Sequence, residues 1–348
     1  MQTQVFLVDK DKPNRKILEK AAAILTGGGL VAFPTETVYG LGANGLDAEA
    51  TGGIYRAKGR PSDNPLILHI AEQAALQQLV TTITPSAKAL IDQYWPGPLT
   101  VVLPRAAIIP DVITGGLDTV AVRMPDSVVA RELIALAGVP IAAPSANTSG
   151  RPSPTSAQMV ITDLGGKIDA VIDAGPCTVG VESTVVDCTT PVPTLLRPGG
   201  ITLEMLIATL GAVDIDQALM TKEAIPRSPG MKYTHYAPQA PMTLLEGQPD
   251  KVAEALRQQV DKAIAEGKTV GAVVSQETAV HLNPAVKAAI YGLRCDAATI
   301  AANLYAALRY FDEQPVDVIF AEGISEKGLG LAVMNRLRKA SGHRTIRA

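Results

Sequence analysis

The sequence has few cysteines, few histidines and few aromatic residues. Its three cysteines, Cys177, Cys188 and Cys295, show no paired spacing, which argues against a disulfide framework or a cysteine-based zinc site. The four histidines lie far apart and form no HExxH pattern. No apolar run reaches the roughly 18 residues that a membrane-spanning helix needs, and the first residues form no apolar signal core. We therefore expect a cytoplasmic protein without membrane contact.

An excess of charge of one sign is also absent. The chain has 31 basic and 34 acidic residues, a formal net charge of −3, and a pI near 5.9. This balance disfavours a dedicated nucleic-acid binder held by a strong basic field, although it leaves room for one local basic patch. At roughly 150 residues per domain, a chain of 348 residues suggests two domains.

Short apolar runs alternate with segments of helical spacing, which predicts a mixed α/β fold with a large twisted sheet. The predicted strands cover 29–33, 65–70, 99–104, 119–125, 139–144, 170–175, 183–188 and 194–199. The predicted helices cover 13–26, 84–94, 126–137 and 155–164, and a closing helix covers 201–214. Two helices carry a start signal, Thr84 before Pro85 and Asp126 as a cap.

A segment rich in proline and turn formers, 222–241, predicts a linker between a first domain, 1–221, and a second, 242–348. The second domain is predicted to be a small parallel α/β unit. Its strands are placed at 242–246, 269–275, 290–294 and 316–321, and its helices at 249–266, 296–312 and 329–340.

The glycines of Gly40–Gly45 fit G-x-G-x-x-G, the pattern of a dinucleotide-binding turn. That turn requires the first glycine directly after a strand and an acidic residue closing the next strand. Here PTETVY separates the glycines from the preceding strand, and the nearest acid at that distance, Asp63, precedes its strand. There is also no Walker motif, so the sequence does not predict a conventional nucleotide loop.

The segment Lys58–Pro65 places two cations, Lys58 and Arg60, on the same side of an extended stretch stiffened by two prolines. A planar guanidinium beside an ammonium suits a polyphosphate. The alternative is a solvated basic turn.

The loop Pro144–Thr155 follows a predicted strand and is dense in hydroxyls and amides. Loops beyond the carboxyl ends of strands are where α/β sheets bind ligands. Ser145 and Asn147 lie two residues apart and can face one ligand. The alternative is a structural turn in which Ser153 or Thr155 caps the next helix. A ligand-binding loop and a helix cap are compatible, because a helix N-terminus attracts phosphate.

Charged residues also interrupt apolar strands. Arg123 or Arg197 would be costly to bury unless it meets an anion, and the alternative is a structural ion pair. His69 can serve a ligand or be a satisfied core histidine. No GxSxG or cysteine–histidine signature supplies a nucleophile. Cations, hydroxyls and amides bind and align anionic substrates without a covalent intermediate.

The chain resembles the YrdC-like family of threonylcarbamoyl-AMP synthases. The resemblance is carried by FPTETVYGLGAN, AKGRPSDNPLILHI, LDTVAVRMP, PSANTSGRPSPT and VGVESTVVD. The segment SPGMKYTHYAP and the second domain are similar to the longer, two-domain members. The resemblance implies a YrdC-like twisted open sheet with flanking helices, followed by a smaller Rossmann-like α/β domain. We expect 222–241 to act as a lid over the catalytic domain, because it combines hinge residues with a cation and three rings.

The resemblance implies that L-threonine, bicarbonate and ATP are condensed to L-threonylcarbamoyladenylate and pyrophosphate. It implies ATP contacts at Lys58, Arg60, Asn64, Thr119, Ser145, Asn147, Ser153, Arg197 and Tyr236. It implies threonine contacts at Thr37, His69, Arg123, Ser183 and the backbone of Ala143. Lys58 and Arg60 are the expected catalytic residues, because they would offset charge on the leaving group. We expect Mg²⁺ to be carried by the ATP phosphates, with no protein ligands.

The implied product serves threonylcarbamoyladenosine modification of tRNA, so the expected partners are the downstream tRNA threonylcarbamoyl-transfer machinery and, weakly, tRNA. Two alternatives stand beside this function. An RNA-binding module is disfavoured by the acidic pI. A carbamoyl-transfer maturation factor would need a longer chain and paired cysteines.

Overall fold

The computed structural model describes residues 2–220 and 236–348. Of these, 2–149 and 153–220 form a first compact unit, and 150–152 and 236–348 form a second. The predicted linker and lid, 222–241, falls for the most part outside the described residues, together with His235. Its lid function therefore stays a prediction. Within the described ranges, no helix is both long and apolar enough to cross a membrane.

The first unit is built on a sheet of eleven strands. These are β1 (Gln4–Leu7), β2 (Val31–Pro34), β3 (Tyr39–Asn44), β4 (Ile67–His69), β5 (Leu99–Pro104), β6 (Thr119–Arg123), β7 (Ile141–Ala142), β8 (Ala170–Asp173), β9 (Thr184–Asp187), β10 (Thr194–Arg197) and β11 (Asp214–Ile215). Their order across the sheet is β1-β8-β2-β3-β7-β4-β6-β5-β9-β10-β11. The sheet is mixed, with parallel pairings such as β4–β6 and antiparallel pairings such as β5–β6.

The predicted α/β architecture is confirmed, and eight of these strands overlap predicted ones. The sequence did not predict β1, β3 or β11. Both edge strands are largely exposed and lack the apolar run of an interior strand. The third, β3, coincides with the glycine-rich stretch.

The glycines of β3 permit close packing of strands. A Cβ on Gly42 would lie 2.9 Å from the side chains of both Ile141 and Phe33, and one on Gly45 would lie 2.5 Å from Leu68. The stretch is an antiparallel partner of β2. It is therefore no phosphate-binding turn, as predicted from the position of its glycines relative to the preceding strand.

The helices of the first unit are α1 (Arg15–Thr26), α2 (Ala48–Lys58), α3 (Leu76–Leu79), α4 (Pro85–Tyr94), α5 (Asp111–Thr114), α6 (Val128–Ala137), α7 (Ala157–Leu164), α8 (Leu203–Leu210) and α9 (Gln217–Met220). A 3₁₀ turn at Gln73–Ala75 precedes α3. Helix α1 packs against α6, and Leu18, Leu25, Leu133 and Ile134 form part of one buried cluster with the sheet. Each fully buried aliphatic side chain contributes about 1.5–3 kcal/mol.

The N-cap residues show how accurately the sequence predicts where each helix begins. Thr84 caps α4 as predicted, with its hydroxyl accepting from Ala87 N. The prediction of Asp126 as a cap is wrong, because Ser127 accepts from Ala130 N and starts α6.

Two other helix boundaries also correct the sequence prediction. Neither Ser153 nor Thr155 caps α7, because Ser156 supplies the cap by accepting from Met159 N. The predicted closing helix 201–214 is shorter, because Gly211, at φ +80°, ends α8 and the chain then enters β11.

The second unit contains β12 (Met242–Glu246), α10 (Pro249–Ala265), β13 (Val270–Ser275), α11 (Gln276–Ala279), β14 (Lys287–Gly292), α12 (Ala297–Glu313), β15 (Val318–Glu322), α13 (Gly330–Ala340) and β16 (Thr345–Arg347). Its strands are ordered β14-β13-β15-β12-β16, and every pairing is parallel. The predicted small parallel α/β unit is confirmed, with β16 added. Val252, Leu256 and Val260 of α10 are buried against this sheet.

Candidate active site

A row of polar side chains crosses five adjacent strands of the first sheet, β4, β6, β5, β9 and β10. His69 pairs with Arg123 across β4 and β6, and Arg123 pairs with Thr100 across β6 and β5. Ser183 directly precedes β9, and Arg197 closes β10. Val185 of β9 pairs with both Thr100 and Arg197, and Ser183 lies two residues before it. Directly paired residues, and residues two apart along a strand, project from the same face of a sheet, so these five side chains share one face. All five are buried, at 5% exposure or less. We call them the polar row.

Arg123 lies between His69 and Thr100 in the polar row, and its guanidinium contacts three other groups. Its guanidinium donates to Thr37 Oγ1 at 2.9 Å and to the carbonyl of Gly97 at 3.3 Å. Its third contact is Glu36, with 2.7 Å between Nη2 and Oε1. The ion pair that the sequence left open as an alternative is therefore present. A guanidinium has five N–H donors, so these contacts leave donors of the same group for a ligand.

His69 is held in its neutral form. Its Nδ1 lies 3.2 Å from the carbonyl of Ile67, and its ring makes an edge contact with Phe33 at 6.2 Å between centroids. Burial lowers the pKa of His69 to about 3, and the positive charge of Arg123 adds to that shift. A neutral imidazole can accept or donate a hydrogen bond but adds no charge to the row. The alternative of a satisfied core histidine is compatible with this packing.

Ser183 links Thr100 to Arg197 within the polar row. Its hydroxyl lies 2.8 Å from Thr100 Oγ1 and accepts from Arg197 Nη2 at 3.1 Å. Arg197 also donates through Nε to the Ser183 carbonyl at 3.0 Å. The structure therefore brings Arg197, predicted on the nucleotide side, against Ser183, predicted on the threonine side.

Lys58 organises the loop that follows β7. It is the last residue of α2, and Gly59 in the left-handed region, at φ +62°, turns the chain out of the helix. Lys58 is only 2% exposed, and its Nζ donates to the carbonyls of Ser145 and Asn147, at 2.5 Å each. Ser145 Oγ donates to Asn147 Oδ1 at 2.6 Å. The structure thus joins two sequence motifs, and the alternative of a solvated basic turn does not describe Lys58.

Arg60 and Asn64 lie in the loop after α2. Arg60 is half-buried and donates to the carbonyl of Pro65 at 3.1 Å. Asn64 is buried, and its carbonyl accepts from Tyr55 Oη at 3.2 Å. Thr119 begins β6 and is half-buried.

Three further predicted site residues lie elsewhere in the described chain. Ser153 is buried and donates to Glu182 Oε1 at 2.6 Å. Ala143 follows β7, and its N–H donates to the carbonyl of Ile67 at 2.9 Å. Tyr236 belongs to the second unit, where it is buried and its ring stacks on Tyr305 at 5.3 Å between centroids.

Sequence reasoning missed three residues of this region, Glu36, Thr100 and Glu182. Glu36 lies inside the quoted segment FPTETVYG and Glu182 inside VGVESTVVD, so each carboxylate directly precedes a predicted threonine-side residue. A buried acid next to a predicted ligand contact was the signal available for both. Thr100 carried no such signal, because its place in the row follows from strand pairing.

The cysteines and acidic side chains decide whether the described chain offers a nucleophile or a metal site. Burial raises the pKa of the Cys188 thiol to about 12 and that of Cys177 well above its ordinary value, so both thiols stay protonated and unreactive. Among the described residues, no group of three or more His, Cys, Asp or Glu side chains could hold a metal ion.

The fold and the polar row define a mixed α/β protein equipped to hold small charged ligands through cations, hydroxyls and amides. Residues 23–199 match the Sua5/YciO/YrdC family, described as telomere recombination, and residues 201–342 match the C-terminal domain of threonylcarbamoyl-AMP synthase. The chain belongs to the threonylcarbamoyl-AMP synthase family, whose members are enzymes of the nucleotidyltransferase type.

Individual relatives agree over nearly the whole chain. A threonylcarbamoyl-AMP synthase of Pyrococcus abyssi is 52% identical over 332 residues, 94% of each chain. One of Bacillus subtilis is 48% identical over 345 residues, covering 99% of this chain and 98% of the relative. The crystal structure of P. abyssi Sua5 complexed with L-threonine superposes with a TM-score of 0.94 at 49% identity, covering 99% of this chain and all of that one. This membership favours the synthase over both alternatives weighed from the sequence.

Proposed function

We propose that this chain condenses L-threonine, bicarbonate and ATP to L-threonylcarbamoyladenylate, pyrophosphate and water. The observation that carries the proposal is the polar row, with two buried arginines beside neutral His69. Arg123 and Arg197 supply fixed positive charge where a carboxylate and a nucleotide have to be aligned. Family membership and the threonine complex of P. abyssi Sua5 support the substrate assignment.

The reaction needs no nucleophile from the protein. The threonine amine takes up CO₂ to give a carbamate, and a carbamate oxygen attacks the α-phosphorus of ATP and expels pyrophosphate. The protein aligns the two substrates and offsets the charge that moves onto the leaving group. The buried, protonated thiols Cys177 and Cys188 fit this requirement, because they offer no competing nucleophile.

The threonine contacts are proposed at Thr37, His69, Arg123, Ser183 and the Ala143 backbone. Four of them, apart from Ala143, lie in or directly against the polar row. The threonine carboxylate would take the remaining guanidinium donors of Arg123, because charge-assisted bonds to a guanidinium are the strong ones.

The ATP contacts are proposed at the residues named from the sequence, with Lys58 and Arg60 as the catalytic pair. The contacts of Lys58 add a positioning role to its charge, since one ammonium fixes the carbonyls of both Ser145 and Asn147. Arg60 is the better placed of the two to change partners, because it is half-buried in a loop.

Mg²⁺ is proposed to be carried by the ATP phosphates. It would neutralise phosphate charge there, which fits a site whose described residues are mainly cations, hydroxyls and amides. We also propose that the enzyme acts in the cytoplasm and passes its product to the tRNA threonylcarbamoyl-transfer machinery, with at most a weak tRNA contact of its own.

Pyrophosphate release by the intact chain tests the proposed function. Release should require threonine and bicarbonate together with ATP, and omission of either should reduce it to background. Equal release from ATP alone would make the protein an ATP hydrolase and would overturn the proposal.

The proposed ATP contact of Tyr236 has a matched control in the same ring stack. Replacing Tyr236 or Tyr305 by Ala removes the same stacking contact from either side. If Tyr236 also contacts ATP, only Tyr236→Ala should raise the KM for ATP. An equal rise in both variants would assign Tyr236 a packing role alone.

A further inference from the structure

Glu36 is a buried charged group that the proposed chemistry leaves without a role. Its side chain is only 9% exposed, and Oε1 lies 2.7 Å from Arg123 Nη2. Among the described residues, neither carboxylate oxygen has a partner in hydrogen-bond geometry, and the second oxygen, Oε2, has no ion-pair partner either. A buried carboxylate oxygen without a donor is destabilising, and native proteins seldom retain one without a reason.

The backbone around Glu36 is fixed from both sides. The Glu36 carbonyl accepts from Val179 N at 2.8 Å, and the Thr37 carbonyl accepts from Gly180 N at 3.1 Å. Thr37 Oγ1 lies 2.8 Å from Thr35 Oγ1 and accepts from Arg123. The unpartnered oxygen therefore belongs to a rigid, preorganised part of the site.

We propose that Glu36 Oε2 accepts a hydrogen bond from the α-amino group of threonine. This inference rests on the proposed function, since it names the recognition of one substrate at that same site. Arg123 and Glu36 present one positive and one negative charge side by side. Threonine is a zwitterion with the opposite pair, so its carboxylate complements Arg123 while its ammonium complements Glu36.

The contact is compatible with the chemistry of the amine. Carbamate formation converts R–NH₃⁺ and CO₂ into R–NH–COO⁻ with loss of two protons, and one N–H stays on nitrogen. That remaining N–H can keep its bond to Glu36 while the new carboxylate turns towards the α-phosphorus. Glu36 thus holds the nitrogen in place before and after the carbamate forms, which is the positioning that the second step requires.

The test is a thermodynamic cycle that removes the Glu36 carboxylate and the ligand amine, singly and together. Calorimetry on the intact wild-type chain and on Glu36→Gln measures the affinity for L-threonine and for (R)-3-hydroxybutanoate, which is threonine without its amine. Glu36→Gln should weaken threonine about 10- to 100-fold, as expected for a charge-assisted bond. It should change the affinity for the amine-free ligand much less.

Glu322→Gln is the matched control, because Glu322 is a buried partner of Arg294 in the second unit. It should leave both affinities unchanged. Equal losses of both ligands in Glu36→Gln would show that Glu36 acts only through Arg123, and the inference would be wrong.

Ligand binding by the wild-type chain also tests the inference, even if Glu36→Gln fails to fold. Binding of (R)-3-hydroxybutanoate as tight as that of threonine would overturn the inference. Absence of any threonine binding would instead count against the proposed function.

Discussion

Each unit contains an arginine–glutamate pair whose carboxylate is largely buried, and the two pairs differ in how completely the protein satisfies them. In the second unit, Glu322 accepts from Arg294 Nε at 3.0 Å and from Ser275 N at 2.8 Å, so both carboxylate oxygens are used. In the first unit, Glu36 meets Arg123 with one oxygen and leaves the other without a partner among the described residues. A satisfied pair stabilises the fold, whereas an incompletely satisfied pair beside neutral His69 supports the proposal that a ligand completes it.

Both sheets place charged or titratable side chains at the carboxyl ends of interior strands. In the second unit, Glu322 closes β15 and is bonded to Ser275, which closes β13. In the first unit, His69, Arg123 and Arg197 close β4, β6 and β10. Burying a charge at such a position is costly, so the two units differ in how completely neighbouring groups satisfy that charge.

The largest effect is expected from comparing Arg123→Gln with Arg294→Gln. Each substitution removes the cation of an ion pair. Breaking a buried pair lowers the free energy of unfolding by about 3–5 kcal/mol, and the loss is smaller at Arg294, where the site is partly open. Below both melting transitions, turnover should fall by about 100-fold or more in Arg123→Gln, which removes a proposed substrate contact, and stay near wild type in Arg294→Gln. Thermal melting and pyrophosphate release measure the two effects. Equal activity losses would abolish the distinction between the units.

Within the first unit, Lys58→Ala and Arg60→Ala separate structural from electrostatic contributions. Each should lower activity by about ten- to a hundredfold, the value of one charge-assisted contact of ~1.5–3 kcal/mol. Lys58→Ala should also destabilise the fold by about 1–3 kcal/mol, because it strips a donor from two carbonyls. Arg60→Ala should destabilise it less, since Arg60 is half-buried. Unfolding of both variants would favour purely structural roles.

Substrate choice sharpens the claim that the first unit fits threonine. Serine lacks one methyl, worth roughly 1–3 kcal/mol in a fitted apolar site, so it should be a poor substrate. Valine lacks the hydroxyl and should do no better. Steady-state kcat/KM for the three amino acids measures this, and equal values would mean that the site recognises the amine and carboxylate alone.

The smallest effect concerns His69 and pH. Its pKa of about 3 in the folded chain lies below the ordinary value of about 6.5, so the unfolded chain binds more protons between these pH values. The neutral histidine therefore stabilises the fold above pH 6.5, and this contribution falls as pH drops towards 3. At pH 5 the loss should be about 2 kcal/mol. Denaturant unfolding at pH 7 and 5 measures it, and His69→Gln should lose that share of the pH dependence. If the free energy of unfolding of His69→Gln depended on pH as strongly as that of the wild type, the assignment to His69 would be wrong.

Much of this architecture could be predicted from local pattern. The apolar runs located eight strands of the first sheet, and charges inside those runs marked His69, Arg123 and Arg197. Two helix starts were misplaced by one or a few residues, because the capping hydroxyl has to reach a particular amide and several hydroxyls compete near each start.

The rest depends on contacts between distant parts of the chain. Thr100 meets Ser183 across 83 residues, and only strand order makes them neighbours. The role of Glu36 likewise depends on its ion pair with Arg123 of β6, which lies far along the chain. Lys58 was recognised as a cation for phosphate, but its hold on the Ser145–Asn147 loop requires the packing of α2 against a loop far along the chain.

A crystal structure of the intact chain with L-threonine would test the central contrast most directly. We expect the threonine carboxylate on Arg123 and its nitrogen within about 3.2 Å of Glu36 Oε2, while Glu322 and Arg294 keep their present bonds. Threonine bound at the Arg294–Glu322 pair, or bound in the first unit with its nitrogen away from Glu36, would contradict the account.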